Sequence, residues 1–171
     1  MNVAQAVAEF LIDKGCTHAF GLVGSANLPV FHALGERMEV VSCHHEQAAA
    51  MAATYYWRTC GRIAPVLVTA GAGSVNAFTG VMAAQMDSIP LLVLSGNEKS
   101  EFFGAPHTRA VGFQGFETQD HVRLFTKYAH RAKDGANALY ALLDAWNAAT
   151  KPRCGAAWLD VPQDVAREMV K

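Results

Sequence analysis

The chain has 171 residues, of which 51% are hydrophobic, and carries a formal net charge of −1 at pH 7. A chain of this length and composition can bury one sizeable core, so we expect a single domain spanning residues 1–171. The near-neutral charge gives no basic surface for nucleic acid, and no apolar run approaches the ~20 residues needed to cross a membrane.

The cysteines and the amino terminus indicate the compartment. Four cysteines are widely scattered, with no CxxC pair and no paired histidines at metal-binding spacing. We therefore expect reduced thiols of a cytoplasmic protein and no metal site built by this chain alone. Met1 to Gln5 lack the basic and apolar regions of a secretory signal, so no signal is expected.

Strand and helix patterns alternate along the whole chain. Apolar residues at helical spacing predict a first helix over 4–14, ended by Gly15. Apolar, β-branched runs predict strands over 18–23, 39–43, 65–69, 90–96, 125–132 and 156–161. Further helices are predicted over 30–34, 46–59, 77–86 and 137–150. This alternation predicts an α/β fold, a doubly wound domain whose roughly six-stranded parallel sheet is covered by helices on both faces.

One long connection interrupts this pattern. Residues 98–120 are polar, contain several glycines and show no period, which predicts a loop. Loops of this length in compact domains are usually functional or mobile. We therefore count His107, which lies within it, as a candidate functional residue.

The most informative stretch runs from Val40 to Ala53. A β-branched run ends at Cys43, and Glu46 follows in the first turn of a helix that continues with small residues, Ala48 to Ala53. Ligands of open α/β sheets bind at the carboxyl ends of the strands. The residues alone leave two interpretations of Glu46: a group that contacts a ligand, or a carboxylate that complements the helix dipole.

Other chemistries receive less support from the sequence. Gly71-Ala72-Gly73 follows a strand but lacks the third glycine and the later acidic residue of a dinucleotide-binding fingerprint. No P-loop and no Gly-x-Ser-x-Gly nucleophile turn is present. His44 and His45 flank Glu46, and at least one of them could contact a ligand.

Three segments, in this order and at this spacing, carry a family resemblance: His45-Glu46-Gln47-Ala48-Ala49, residues 68–77 and residues 86–96. Together with Phe113-Gln114 and the closing residues 159–165, they resemble the pyrimidine-binding, N-terminal domain of thiamine-diphosphate enzymes of the acetolactate synthase and 2-oxo acid decarboxylase type. The resemblance covers nearly the whole chain and implies the corresponding doubly wound fold.

The resemblance also implies roles for individual residues. Glu46 would hydrogen-bond N1′ of the cofactor's aminopyrimidine, so that the 4′-imine removes the thiazolium C2 proton and the resulting ylid attacks a 2-oxo acid. A second catalytic residue, Gln114, would face the substrate. The cofactor-binding residues besides Glu46 would be Gly24, Thr69, Gly71, Gly73 and Asn76.

Two departures from the family pattern bear on the substrate. Ala72 stands where acetolactate synthases usually have proline, and Phe113-Gln114-Gly115-Phe116-Glu117 replaces the usual Phe-Gln-Glu-Val-Asp. The His-His pair that pyruvate-type decarboxylases carry in the long loop is missing, which favours carboligation. The particular 2-oxo acid stays open.

The chain also lacks the Gly-Asp-Gly…Asn motif with which family members bind the diphosphate through Mg²⁺. The resemblance therefore implies thiamine diphosphate shared with a partner subunit or domain that binds Mg²⁺, within a homo- or hetero-oligomer. The chain would be the small subunit of a split enzyme, similar to sulfopyruvate decarboxylase, or a domain of a longer one. We expect the small residues of 48–53 to be buried against that partner or a second copy. The alternative is a non-catalytic interaction or regulatory domain that pairs with a thiamine-diphosphate enzyme.

Overall fold

The computed structural model describes residues 1–103 and 109–170, so His107 lies outside the described residues. The strands are β1 (His18–Gly21), β2 (Glu39–Ser42), β3 (Val66–Val68), β4 (Leu91–Asn97), β5 (Tyr128–Arg131) and β6 (Ala156–Pro162). The helices are α1 (Val3–Asp13), α2 (Leu28–Gly35), α3 (Glu46–Cys60), α4 (Ala72–Asn76), α5 (Phe78–Met86), α6 (Thr118–Val122) and α7 (Gly135–Thr150).

The six strands form one sheet in the order β2-β1-β3-β4-β6-β5, and every neighbouring pair is parallel. The predicted α/β fold with a doubly wound parallel sheet is therefore confirmed. The strand order reverses between β1 and β3, because the chain leaves β1 towards one edge and then returns to build the other side. In open sheets such a reversal opens a crevice at the carboxyl ends of the strands, where ligands bind.

Helices cover both faces of the sheet, because alternate residues of the buried strands point to opposite layers. One core packs α1, α2 and α7 against strand residues that include Leu67, Leu92, Leu94 and Leu159. The other packs α3 and α5 against Val66, Val68, Leu91, Val93 and Trp158. The buried strands are apolar on both faces, as expected of a parallel sheet.

The small residues of α3 are accounted for inside the chain. Ala49, Ala50 and Ala53 are buried. A Cβ placed on Gly80 of α5 would lie 2.6 Å from the Cβ of Ala50, so the two helices approach closely at this point. The expectation that the alanines 48–53 are buried against a partner is wrong for these three, since they are buried inside the chain, in the core that α3 forms with α5 and the sheet.

Three local predictions also differ from the structure. β5 begins at Tyr128 rather than at residue 125, because Phe125 turns into the core and packs on Phe78 with 5.2 Å between ring centroids. The short helix α4 occupies the predicted glycine turn, and α6 begins inside the predicted loop 98–120 and ends at residue 122. Within the described ranges, no helix combines the length and apolar character needed to span a membrane.

Candidate functional site

The candidate site lies where the strand order reverses, at the carboxyl ends of β1, β2 and β3. Gly24 follows β1, Glu46 follows β2, and Thr69 follows β3 directly. Parallel strands end at the same edge of the sheet, so residues far apart in sequence converge there. The sequence placed Glu46 at this edge, and the structure agrees.

Glu46 is the first residue of α3 and is only 7% exposed. The N-cap before it is His45, whose Nδ1 accepts a hydrogen bond from the backbone N–H of Gln47 at 3.2 Å. The side chain of Asn76 donates from Nδ2 to Oε2 of Glu46 at 3.0 Å. The carboxylate is thus held between the start of α3 and the end of α4, while His45 has a capping role.

Glycine at position 73 leaves room for this carboxylate and for Thr69. A Cβ on Gly73 would lie 3.1 Å from Glu46 Oε1 and 2.9 Å from Thr69 Cγ2. A Cβ on Gly24 would lie 2.5 Å from the Cβ of Thr69. Side chains at these two positions would therefore displace Thr69 and crowd the free side of Glu46.

The site also contains the buried hydroxyl of Thr69. Its Oγ1 is buried and has no hydrogen-bond partner within residues 1–103 and 109–170. A buried polar atom without a partner costs about 1–3 kcal/mol, so native proteins keep few of them. Such an atom beside a buried carboxylate is suited to bind a polar ligand.

The glycine turn brings the long loop onto the site. Gly71 has φ +68° and ψ −127°, a conformation that disfavours other residues. A Cβ on Gly71 would also lie 2.0 Å from the backbone carbonyl oxygen of Gln114. The exposed residue Gln114, from the loop after β4, therefore packs its backbone against the turn after β3.

The structure thus brings the seven predicted site residues into one continuous group. Each touches or closely approaches another member, although they come from four connections along the chain. The group comprises Gly24, Glu46, Thr69, Gly71, Gly73, Asn76 and Gln114.

A second polar cluster lies at the same edge and was not predicted. Asp160 of β6 is fully buried and accepts from Ser95 Oγ at 2.5 Å and from Asn97 Nδ2 at 2.6 Å. Trp158 Nε1 donates to Ser95 Oγ at 2.7 Å. Burial raises the pKa of Asp160 to about 7, while the hydrogen bonds from Ser95 and Asn97 and the charge of Arg131 act to lower it.

The sequence did contain a signal for this cluster. Polar residues lie near the carboxyl ends of two apolar strands, Ser95 and Asn97 in β4 and Asp160 in β6. The register pairs Ser95 with Asp160, which places their side chains on one face. Asn97 Nδ2 also donates to the carbonyl of Phe116 at 3.2 Å. The cluster therefore holds the loop at a residue that lies two positions after Gln114.

Comparison with known proteins agrees with the resemblance drawn from the motifs. The family model of the thiamine pyrophosphate enzyme N-terminal TPP binding domain matches residues 1–122. The acetolactate synthase large subunit of Buchnera aphidicola (from Acyrthosiphon pisum) is 34% identical over 98% of this chain and 29% of its own length.

Two further relatives give the same result. The acetolactate synthase of Bacillus subtilis is 33% identical over 97% of this chain and 28% of its own length. The acetolactate synthase isozyme 3 large subunit of Escherichia coli is 35% identical over 96% of this chain and 28% of its own. The chain thus spans less than a third of the length of these relatives. The resemblance is confirmed, and the chain belongs to the family of N-terminal TPP binding domains of thiamine pyrophosphate enzymes.

Proposed function

We propose that this chain is the pyrimidine-binding part of a thiamine-diphosphate-dependent enzyme that decarboxylates or joins small 2-oxo acids. The observation that carries the proposal is the buried carboxylate of Glu46, located where the strand order reverses and beside the Thr69 hydroxyl, which has no partner among the described residues. Relatives named acetolactate synthase support the carboligase form of the reaction.

We extend the pyrimidine-binding domain over residues 1–171. The family model ends at residue 122, but β5, α7 and β6 follow it and belong to the same sheet. β6 lies between β4 and β5, and its Asp160 bonds to Ser95 and Asn97 of β4. A domain ending at residue 122 would leave β4 without this neighbour.

The site residues fit the aminopyrimidine ring of the cofactor. Such a ring offers ring nitrogens and an amino group, which need a carboxylate and further hydrogen-bonding partners in a dry cleft. Glu46 presents Oε1 over Gly73, and Thr69 has a hydroxyl without a partner within the described ranges. Glycine at 24, 71 and 73 keeps the surroundings of these groups compact.

In this proposal, Glu46, Asn76 and Gln114 have different roles in the reaction. When bound, thiamine diphosphate supplies the electron sink that lets bonds at the 2-oxo carbon break and form. Glu46 would exchange a proton at Oε1 with a ring nitrogen of the cofactor, while Asn76 keeps Oε2 in place. Burial of Glu46 at the start of α3 excludes water from that proton. Gln114, exposed at the edge of the site, contacts the substrate.

A partner subunit or domain binds the diphosphate and Mg²⁺ in this proposal. The chain spans less than a third of its relatives, which leaves two thirds of their length for such a domain. In the part of the chain that the structure describes, no three His, Cys, Asp or Glu residues gather where they could hold a metal. The assembly is a homo- or hetero-oligomer, and the four free cysteines support a cytoplasmic location.

Reconstitution tests this proposal. The 171-residue chain would be mixed with a diphosphate-binding chain carrying Gly-Asp-Gly and a downstream Asn. Consumption of pyruvate and other 2-oxo acids is then followed with and without thiamine diphosphate and Mg²⁺. We expect turnover that needs both chains and both additives. Exchange of the cofactor's C2 proton is the second readout, and its absence from every assembly would contradict the proposed function.

Calorimetry on the separate chains provides the control. The chain alone should bind thiamine diphosphate weakly, because the described residues contain no cluster of ligands for the Mg²⁺ that would hold the charged diphosphate. Tight, Mg²⁺-dependent binding to this chain alone would contradict the shared site.

A further inference from the structure

The loop that carries Gln114 contains a tight turn, residues 111–115. Val111 and Gly115 are buried at its base and exchange two backbone hydrogen bonds of 2.9 Å each. Phe113 is 92% exposed at the tip, and Gln114 follows it. The base of the turn is therefore fixed, whereas the direction of its tip depends on what lies beneath it.

The carboxylate of Glu98 lies beneath this turn. Glu98 directly follows β4 and is 5% exposed. Its Oε1 accepts a hydrogen bond from the backbone N–H of Gln114 at 3.3 Å. The turn is thus bonded to Glu98 at the residue proposed to contact the substrate.

Two glycines enclose the side chain of Glu98. A Cβ on Gly112 would lie 2.9 Å from Cγ and 3.0 Å from Oε2 of Glu98, and Gly112 has φ +61°. A Cβ on Gly115 would lie 2.7 Å from the same Cγ. Side chains at either position would separate the turn from Glu98, so the close fit depends on both glycines.

The backbone of Glu98 is fixed as well. Its N–H donates to Oδ1 of Asn97 at 2.9 Å, and Asn97 is itself bonded to the buried Asp160. Burying a carboxylate is costly, and an apolar side chain would fill the same space without that cost. A charged acceptor does provide a stronger and more directional bond to a backbone N–H.

We propose that Glu98 is a positioning residue that sets the direction of Gln114 towards the substrate. The inference rests on the proposed function, in which Gln114 contacts the 2-oxo acid. Glu98 itself does not touch the reacting atoms. It holds the backbone of Gln114 against the glycine turn at Gly71, and so fixes where the Gln114 amide side chain begins.

The test compares Glu98→Ala, Glu98→Gln and Glu101→Ala in the complete two-chain enzyme, with pyruvate as the probe. Glu101 is a matched control, because it is an exposed glutamate three residues away. Glu98→Ala should raise the KM for pyruvate by about tenfold to a hundredfold, the usual cost of misplacing a substrate-contacting group. Glu98→Gln keeps an acceptor oxygen and should restore most of the loss, and Glu101→Ala should match the wild type.

C2-proton exchange separates this proposal from the function on which it rests. All three variants should exchange the proton at the wild-type rate, because Glu46 and Asn76 are untouched. No exchange in the wild-type assembly would contradict the proposed function itself. Normal exchange together with an unchanged KM in Glu98→Ala would overturn the role of Glu98 alone.

Hydrogen exchange of the Gln114 amide in the 171-residue chain tests the contact without any turnover. Glu98→Ala should remove its protection, and Glu101→Ala should not. Gly112→Ala is the second variant, since it displaces the turn while leaving Glu98 in place, and it should reproduce both effects. Full protection of the Gln114 amide in folded Glu98→Ala would overturn the proposal.

Discussion

Two polar clusters lie at the same edge of the sheet and differ in completeness. Around Asp160, both carboxylate oxygens accept hydrogen bonds, and Ser95 in turn accepts from Trp158. Around Glu46, Asn76 is bonded to one carboxylate oxygen, and the hydroxyl of Thr69 has no partner within the described ranges. Both carboxylates are buried, so burial does not distinguish the two clusters.

This difference separates a cluster suited to stabilise the fold from one suited to bind a ligand. A fully satisfied buried network makes its surroundings rigid and specifies one arrangement. An incomplete network costs stability unless something else completes it. We therefore propose that the Asp160 cluster supports the loop 109–118 and that the Glu46 cluster binds the ligand.

We call the group around Glu46 and Thr69 the open cluster, and the group around Asp160, Ser95 and Asn97 the closed cluster. The largest expected effect comes from a substitution in the open cluster. Glu46→Gln keeps the shape and a hydrogen bond but cannot ionise, so C2-proton exchange in the reconstituted enzyme should slow by about 10²–10⁴-fold. The loss of one carboxylate at a helix start should lower the free energy of unfolding by only about 0.3–1 kcal/mol.

Glu36→Gln is the control, because Glu36 is exposed at the end of α2 and away from the site. It should leave the exchange rate unchanged. Normal exchange in Glu46→Gln would leave Glu46 with the dipole-complementing role alone.

Asp160 of the closed cluster should make the free energy of unfolding depend on pH. Burial raises the pKa of Asp160 from 3.8 to about 7. Between these values the folded chain keeps a proton that the unfolded chain has released. The free energy of unfolding should therefore fall as pH rises through this window, by up to about 1.4 kcal/mol per pH unit.

Asp160→Asn isolates this effect, because the amide cannot titrate. Urea unfolding of both proteins would be compared at several values between pH 4 and pH 8. The wild type should lose stability relative to the variant as pH rises, and the difference should level off above about pH 7. Parallel pH profiles for the two proteins would contradict the buried, proton-holding state of Asp160.

Ser95→Ala should have a smaller effect on the same cluster. It leaves Trp158 Nε1 without its acceptor and removes a donor from Asp160, which should cost about 1–3 kcal/mol in the free energy of unfolding. Ser42→Ala, at the exposed end of β2, is the control and should change little. The C2 exchange rate should be normal in both, and its loss in Ser95→Ala would show that the two clusters are not separate.

The sequence predicted the open cluster better than the closed one for a physical reason. Glu46 follows a β-branched strand and opens a helix, so a local pattern suffices to place it at the ligand-binding edge. Ser95 and Asp160 lie 65 residues apart, and only the register of β4 and β6 brings them together. Single-sequence patterns carry no information on register between distant parallel strands.

The same limit explains the wrong expectation for the alanines of α3. The small residues 48–53 allowed a close approach, but the approaching residue, Gly80, lies on another helix 30 residues after Ala50. The sheet itself was predictable, because continuous apolar strands separated by helices allow few arrangements. The turn at 111–115 was not, since its shape depends on Glu98 and on a bridge within the loop.

The smallest expected effect tests whether the hydroxyl of Thr69 forms a hydrogen bond with the cofactor. Thr69→Val keeps the branched shape and removes Oγ1, which has no partner among the described residues, so the chain alone should gain up to about 1 kcal/mol in the free energy of unfolding. In the assembled enzyme, loss of one hydrogen bond to the cofactor should weaken binding and raise the Kd for thiamine diphosphate by about three- to tenfold. Thr79→Val, on the exposed face of α5, is the control and should change neither quantity. Greater stability with an unchanged Kd would mean that the cofactor does not complete the open cluster at Thr69.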